Sequence, residues 1–117
     1  MVPNFLNSAS LLANAEENNL YVQIVAQLEK DFALANIALE LPFKVSPKNL
    51  ITILHQKVYH LMMERFTEYL NLLYIIDVPE KMIKEIKAID IVEISNEVSF
   101  LILKREFQKV WYKKKYA

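Results

Sequence analysis

The feature that most restricts the fold of this chain is the complete lack of glycine among its 117 residues. Average usage of about 7% would give roughly eight glycines in a chain of this length. Glycine supplies backbone conformations with positive φ and lets a ligand approach the main chain closely, because it has no Cβ. Phosphate-binding loops, dinucleotide-binding fingerprints and nucleophile elbows need glycines at fixed positions, so the sequence excludes them. Tight hairpin turns also prefer glycine, which leaves helices as the favoured elements.

Composition places the chain among folded proteins without cysteine chemistry. Apolar residues make up 54% of the chain and charged residues 24%, and fourteen basic side chains balance fourteen acidic ones. The lack of cysteine excludes disulfides and thiolate metal sites and suits a reducing compartment, so we expect a cytoplasmic protein. No stretch approaches the roughly 18 apolar residues of a membrane span, and no basic residue precedes the first apolar patch. We therefore expect neither a transmembrane segment nor a signal peptide.

Apolar side chains recur at three- and four-residue steps along most of the chain, a spacing typical of helices with one buried face. The sequence predicts an all-α domain spanning residues 1–117, a helical bundle of four to five helices, three of them long. The first two long helices are expected to pack antiparallel. The predicted long helices are 19–38, 47–76 and 91–114, with a short helix at 78–89, an N-terminal segment 1–18 that holds a further short helix, and a basic tail at 113–117.

Short polar residues mark the predicted helix starts, because their side chains can accept hydrogen bonds from first-turn amides. Asn18 or Asn19 is the expected cap of the first long helix, and Ser46 followed by proline is the expected start of the next. Asp77, with Glu80 three positions later, has the spacing of a capping box and predicts that a short helix begins there.

The segment 88–95, "AIDIVEIS", is the one ambiguous stretch. Its β-branched residues also suit a strand, for which residues 40–46 would be the partner. Asp90 repeats the capping pattern of Asp77, and Ser95 is a rival cap. We expect a helix, with strand and loop as the alternatives.

Metal-ligating residues are sparse in the sequence. His55 and His60 are the two histidines, and a five-residue step sets them about 140° apart around a helix. Glu64 and Glu68 follow His60 on its own face, but the spacing matches neither zinc nor di-iron motifs. The serines form no set with a histidine and an acid, so we expect no metal, no cofactor and no enzymatic activity.

The C-terminal segment is basic and carries Trp111, Tyr112 and Tyr116 among its lysines. Aromatic rings between basic residues can stack on nucleic-acid bases. Alternatively, these charges complement the dipole of the last helix and the acidic N-terminal half of the chain. We favour this second interpretation, so we regard a nucleic-acid partner as the less favoured hypothesis. The candidate basic surface comprises Lys104, Arg105, Lys109, Lys113, Lys114 and Lys115.

Apolar residues on the long predicted helices exceed what one buried face requires. Such a surplus marks an interface when it lies exposed, so we expect a homodimer, or binding to a protein partner. We therefore expect a non-enzymatic helical protein that acts through self-association or protein–protein interaction. The alternatives are nucleic-acid binding by the last helix and a helical pocket for a small apolar ligand. The candidate interface residues are Leu50, Ile53, Met63, Leu70, Phe100, Leu103 and Phe107.

Overall fold

The computed structural model describes residues 2–116, and within this range the chain forms six helices and no strand. The predicted all-α class is confirmed, although the number of helices is six instead of four to five. Residues 1 and 117, the ends of the predicted domain, lie outside the described residues. The helices are α1 (Ser8–Glu17), α2 (Tyr21–Leu34), α3 (Pro47–Glu64), α4 (Phe66–Ile76), α5 (Glu80–Lys84) and α6 (Ile91–Tyr116).

The predicted helix 47–76 is divided into α3 and α4 at Arg65, so this prediction was wrong. Arg65 has φ −136° and ψ 54°, outside the helical region. Regular bonds resume on either side, since the Arg65 amide donates to Leu61 and its carbonyl accepts from the Tyr69 amide, both at 2.9 Å. The apolar spacing runs on through the break, and a change of conformation at one residue leaves no mark on that pattern.

Three helices end in the same kind of turn, in which a residue with a side chain takes the left-handed position that glycine usually occupies. The amide of the following residue then donates to the carbonyl five positions back, and its apolar side chain is buried. This pattern satisfies the last carbonyls of each helix and turns the chain back onto the core. The pairs are Asn19 and Leu20 after α1, Asn36 and Ile37 after α2, and Asp77 and Val78 after α4.

These turns correct two predicted helix starts. Asn19 ends α1 instead of capping α2, whose N-cap is Leu20 without a side-chain bond. Asp77 ends α4 with φ 69° instead of capping α5, which begins after Pro79. Asparagine and aspartate favour both a helix start and the left-handed region, so the sequence pattern alone does not separate the two roles.

Two other predicted starts are confirmed. The Ser46 hydroxyl accepts from the Asn49 amide at 3.2 Å, with Pro47 as the first helical residue. The Asp90 carboxylate accepts from the Val92 amide at 2.7 Å and caps α6. Segment 88–95 is therefore loop as far as Asp90 and helix beyond it, and Ser95 lies inside α6.

Helix α6 is the central element, because α1, α2, α3 and α4 all pack against it. Of the predicted pair 19–38 and 47–76, α2 packs against the second part, α4, whereas α2 and α3 both make their main contacts with α6. Phe107, fully buried on α6, meets the Phe5 ring edge to face at a centroid distance of 4.9 Å. The predicted basic tail is the last turn of this helix as far as Tyr116.

The connection between α2 and α3 is also fixed to the core. Ile37 and Val45 are buried near its two ends, and the Tyr21 hydroxyl donates to the Val45 carbonyl at 2.6 Å.

In the part of the chain described here, no helix has both the length and the apolar character that crossing a bilayer requires.

The left-handed conformation of Asp77 predicts an unusual pattern of substitution effects. Asp77→Gly should leave the free energy of unfolding unchanged or raise it, since glycine favours positive φ. Asp77→Thr should lower it by about 1 kcal/mol or more, because a β-branched side chain is strained there. Chemical denaturation of the two variants measures both effects.

Asp90 provides the matched control, because it is an N-cap. At that position threonine retains an acceptor and should be tolerated, whereas Asp90→Ala should cost about 1 kcal/mol. If Asp77→Thr were as neutral as Asp90→Thr, the left-handed turn at the end of α4 would be contradicted.

Candidate functional site

A cluster of three ionisable side chains, Asp31, Glu106 and Lys109, lies in the interface between α2 and α6. The Lys109 ammonium is 2.7 Å from Asp31 Oδ2 and 3.5 Å from Glu106 Oε1. Gln27 Nε2 donates to Asp31 Oδ1 at 3.1 Å. Asp31 and Glu106 are buried, and Glu106 has no exposed surface at all.

The protonation state of Glu106 determines the net charge of this cluster. Burial, together with the negative charge of the adjacent Asp31, raises the pKa of the Glu106 carboxyl to about 9, although the Lys109 ammonium acts in the opposite direction. Both carboxyl oxygens of Glu106 are buried, and a neutral acid costs less to bury than a carboxylate. At neutral pH the cluster therefore holds one negative charge on Asp31 and one positive charge on Lys109.

The cluster joins two helices and has no surface at which a substrate could meet Glu106. A pKa displaced this far can mark a catalytic acid, but such an acid must come within hydrogen-bond reach of a reacting group. Sequence reasoning overlooked the cluster, although a signal was present. Asp31 and Glu106 occupy positions where the apolar spacing of their helices calls for a core residue, three places after Leu28 and after Leu103.

The raised pKa of Glu106 makes stability depend on pH in a defined direction. The folded chain keeps the proton up to about pH 9, whereas the unfolded chain releases it near 4.5. The contribution of Glu106 to the free energy of unfolding is therefore fully present below about pH 4.5 and is lost as the pH rises towards 9. Glu106→Gln should remove that loss and exceed the wild type in unfolding free energy at pH 8 by at least about 1 kcal/mol.

Glu97→Gln, an exposed change on the same helix, is the control and should leave the pH dependence as it is. Urea denaturation of the three proteins between pH 5 and 9 makes the comparison across the interval in which the Glu106 proton is lost. Equal slopes for the wild type and Glu106→Gln would contradict a protonated Glu106.

Most of the candidate basic surface contacts its own chain. Besides Lys109, the Arg105 guanidinium donates to the Asp77 carbonyl at 3.1 Å and lies 3.3 Å from its carboxylate. Lys104 lies over the Phe100 ring at 5.4 Å, and Lys114 donates to the Asn18 carbonyl at 3.2 Å. Lys113 and Lys115 are exposed near the end of α6, where Lys115 lies over the Tyr116 ring at 5.9 Å.

The aromatic residues of this segment divide in the same way. Trp111 is partly buried and stacks on Phe107 at 5.8 Å, so its ring is already used in the core. Tyr112 and Tyr116 are exposed and stack on each other at 6.0 Å. The structure thus reduces the continuous basic and aromatic surface to the last turn of the helix.

The histidines stay apart, as their spacing requires. His60 Nδ1 lies 3.3 Å from Glu64, and both side chains are largely in solvent. Burial lowers the pKa of His55, which is partly enclosed on another side of α3. In residues 2–116 no group of three or more side chains is placed to hold a metal ion.

The candidate interface residues fall into two groups. One group is covered by other helices of the same chain. It comprises Leu50, Leu103 and Phe107, which are fully buried, and Ile53 and Phe100, which are partly buried against the core. Their burial follows from the position of α6, which has neighbours on several sides. Met63 and Leu70 remain exposed, at 56% and 50%.

Leu70 belongs to an apolar stripe on the outer side of α4. Phe66, Leu70 and Tyr74 stand four residues apart, which sets them on one side of a helix, and they are 56%, 50% and 83% exposed. The opposite side of α4 packs into the core through Tyr69, Leu72, Leu73 and Ile76. Helix α4 therefore carries apolar side chains on both sides, and we refer to Phe66, Leu70 and Tyr74 as the α4 face.

Comparison of the chain with protein-family models, with curated proteins and with solved structures finds no match.

Proposed function

We propose that this chain is a non-enzymatic helical protein that acts by association, and that two copies meet at the α4 face. The observation behind the proposal is the exposure of three large apolar side chains on one side of a helix whose other side is core. Large apolar side chains that lie together in solvent are the usual mark of an interface.

The spacing of the α4 face suits a second copy of the same chain. Leu70 stands midway between Phe66 and Tyr74, so two antiparallel α4 helices related by a two-fold axis at Leu70 are complementary. Phe66 of one copy then lies against Tyr74 of the other, twice, in the aromatic pairing that proteins favour. Beside the face, Arg65 Nε donates to Glu68 at 2.6 Å, so the neighbouring charges neutralise each other and do not repel a second copy.

The size of this surface indicates weak association. Helix α3 ends with two further exposed apolar side chains, Tyr59 and Met63. Five partly exposed side chains of this size offer on the order of 500 Å² per copy. A stable complex buries about 800 Å² on each partner, so we expect a dissociation constant on the order of 100 µM.

Leu70→Glu should weaken the association strongly. The substitution places two carboxylates next to each other at the two-fold axis, and like charges in an interface are strongly unfavourable. We expect the association constant to fall at least tenfold, about 1.4 kcal/mol. Equilibrium sedimentation from about 10 to 500 µM covers the expected dissociation constant and measures the change.

Leu34→Glu is the matched control, because Leu34 is 63% exposed but lies on α2 and is not part of the α4 face. It should associate like the wild type. A 13.7 kDa species at every concentration of the wild type would contradict the proposal, as would an equal loss of association in both variants.

A further inference from the structure

A groove with an apolar floor and a basic rim runs between α2 and α6. Its volume is about 470 Å³, within the range of about 300 to 1,000 Å³ typical of small-molecule sites. Its apolar lining residues are Leu20, Ala26 and Val110, and Lys30, Lys113 and Lys114 contribute three positive charges. None of the residues that line it is acidic.

The groove exists because of the residue sizes on its walls. Ala26 is small, and the neighbouring positions on α2 carry the unbranched side chains of Gln23, Gln27 and Lys30, which can extend away from the gap between the helices. Leu20 and Val110 are buried and form a floor that has no polar group to offer a ligand. Such a floor favours an alkyl chain over a fully polar ligand.

The charges at the rim of the groove determine which head group of a ligand can bind there. Lys30 and Lys113 are exposed residues on opposite walls, and neither forms an ion pair within residues 2–116. The Asp31 carboxylate accepts a hydrogen bond from the groove residue Gln27, but it is paired with Lys109. The lining therefore carries three positive charges and no negative one, and electrostatic complementarity favours an anionic group on the ligand.

We propose that this groove, the α2–α6 groove, binds a free single-chain amphiphile with an anionic head, of which a fatty carboxylate is the simplest. The alkyl chain lies on Leu20, Ala26 and Val110, and the carboxylate lies between Lys30 and Lys113. This site is independent of the proposed association, because the α4 face contributes no residue to it.

Isothermal titration calorimetry with decanoate tests the proposal, with decanol and propionate as probes that lack the charge and the long chain. We expect one decanoate to bind with a dissociation constant of about 0.1 to 1 mM, and both other probes to bind at least tenfold more weakly. In methyl NMR spectra, the Ala26 and Val110 signals should shift on addition of decanoate. Equal binding of decanoate and decanol, or no binding of decanoate, would overturn the proposal.

Substitutions at exposed positions separate the groove from other surfaces. Lys30→Gln combined with Lys113→Gln should weaken decanoate binding about tenfold, and Ala26→Phe should abolish it by filling the groove. The control pair Lys81→Gln and Lys87→Gln makes the same change of charge elsewhere on the surface and should have no effect. Equal weakening by both lysine pairs, or unchanged binding in Ala26→Phe, would overturn the proposal.

Two further measurements distinguish this proposal from its alternatives. Leu70→Glu should bind decanoate like the wild type even if it no longer associates, so a failure of the proposed association would not affect the proposed ligand site. Loss of decanoate binding in that variant would overturn the proposal of the ligand site. Co-sedimentation with vesicles of zwitterionic and anionic phospholipid tests the other source of an anionic head. Binding to these vesicles without binding of free decanoate would also overturn the proposal.

Discussion

The fold depends on how a chain without glycine reverses its direction at the ends of its helices. Asn19, Asn36 and Asp77 take the left-handed conformation that glycine would otherwise provide. Aspartate and asparagine tolerate this region better than other residues with a side chain, because they are short and can bond to nearby backbone. Each is followed by a buried apolar residue, so every such turn also fixes the next segment to the core. Three of the connections between helices are therefore anchored to the core, and two of them, 18–20 and 77–79, are also short.

These turns allow α1 to α4 to surround α6, and that arrangement explains the unusual composition of the last helix. A helix with neighbours on several sides cannot keep all its polar residues in solvent, and Glu106 is buried as a result. The chain tolerates this acid by keeping it protonated beside an ion pair of Asp31 and Lys109. Removing Asp31 or Lys109 alone should be more damaging than replacing both, because the remaining charge would be buried without its partner.

The two proposed surfaces arise from the same packing. Helix α4 packs one side into the core and presents the other, also apolar, to solvent, which is the basis of the proposed association. Helices α2 and α6 leave a gap because Ala26 is too small to fill the space beside Val110, which is the basis of the proposed ligand groove. Most of the six basic residues that the sequence suggests for nucleic-acid binding contact their own chain, and two of them, Lys113 and Lys114, line the rim of this groove.

The sequence by itself determined the helical class, most of the helix positions and the starts at Ser46 and Asp90, because these depend on residues within one or two turns of each other. Only the tertiary structure decided the rest. Asp77 is a helix end and not a start because Arg105, 28 positions later, and the core beneath Val78 hold that turn in place. Likewise Asp31 and Glu106 are 75 positions apart, and whether Phe107 is an interface or core residue depends on which helices surround it. A pattern along one helix records which side is apolar, but only the packed chain determines what covers that side.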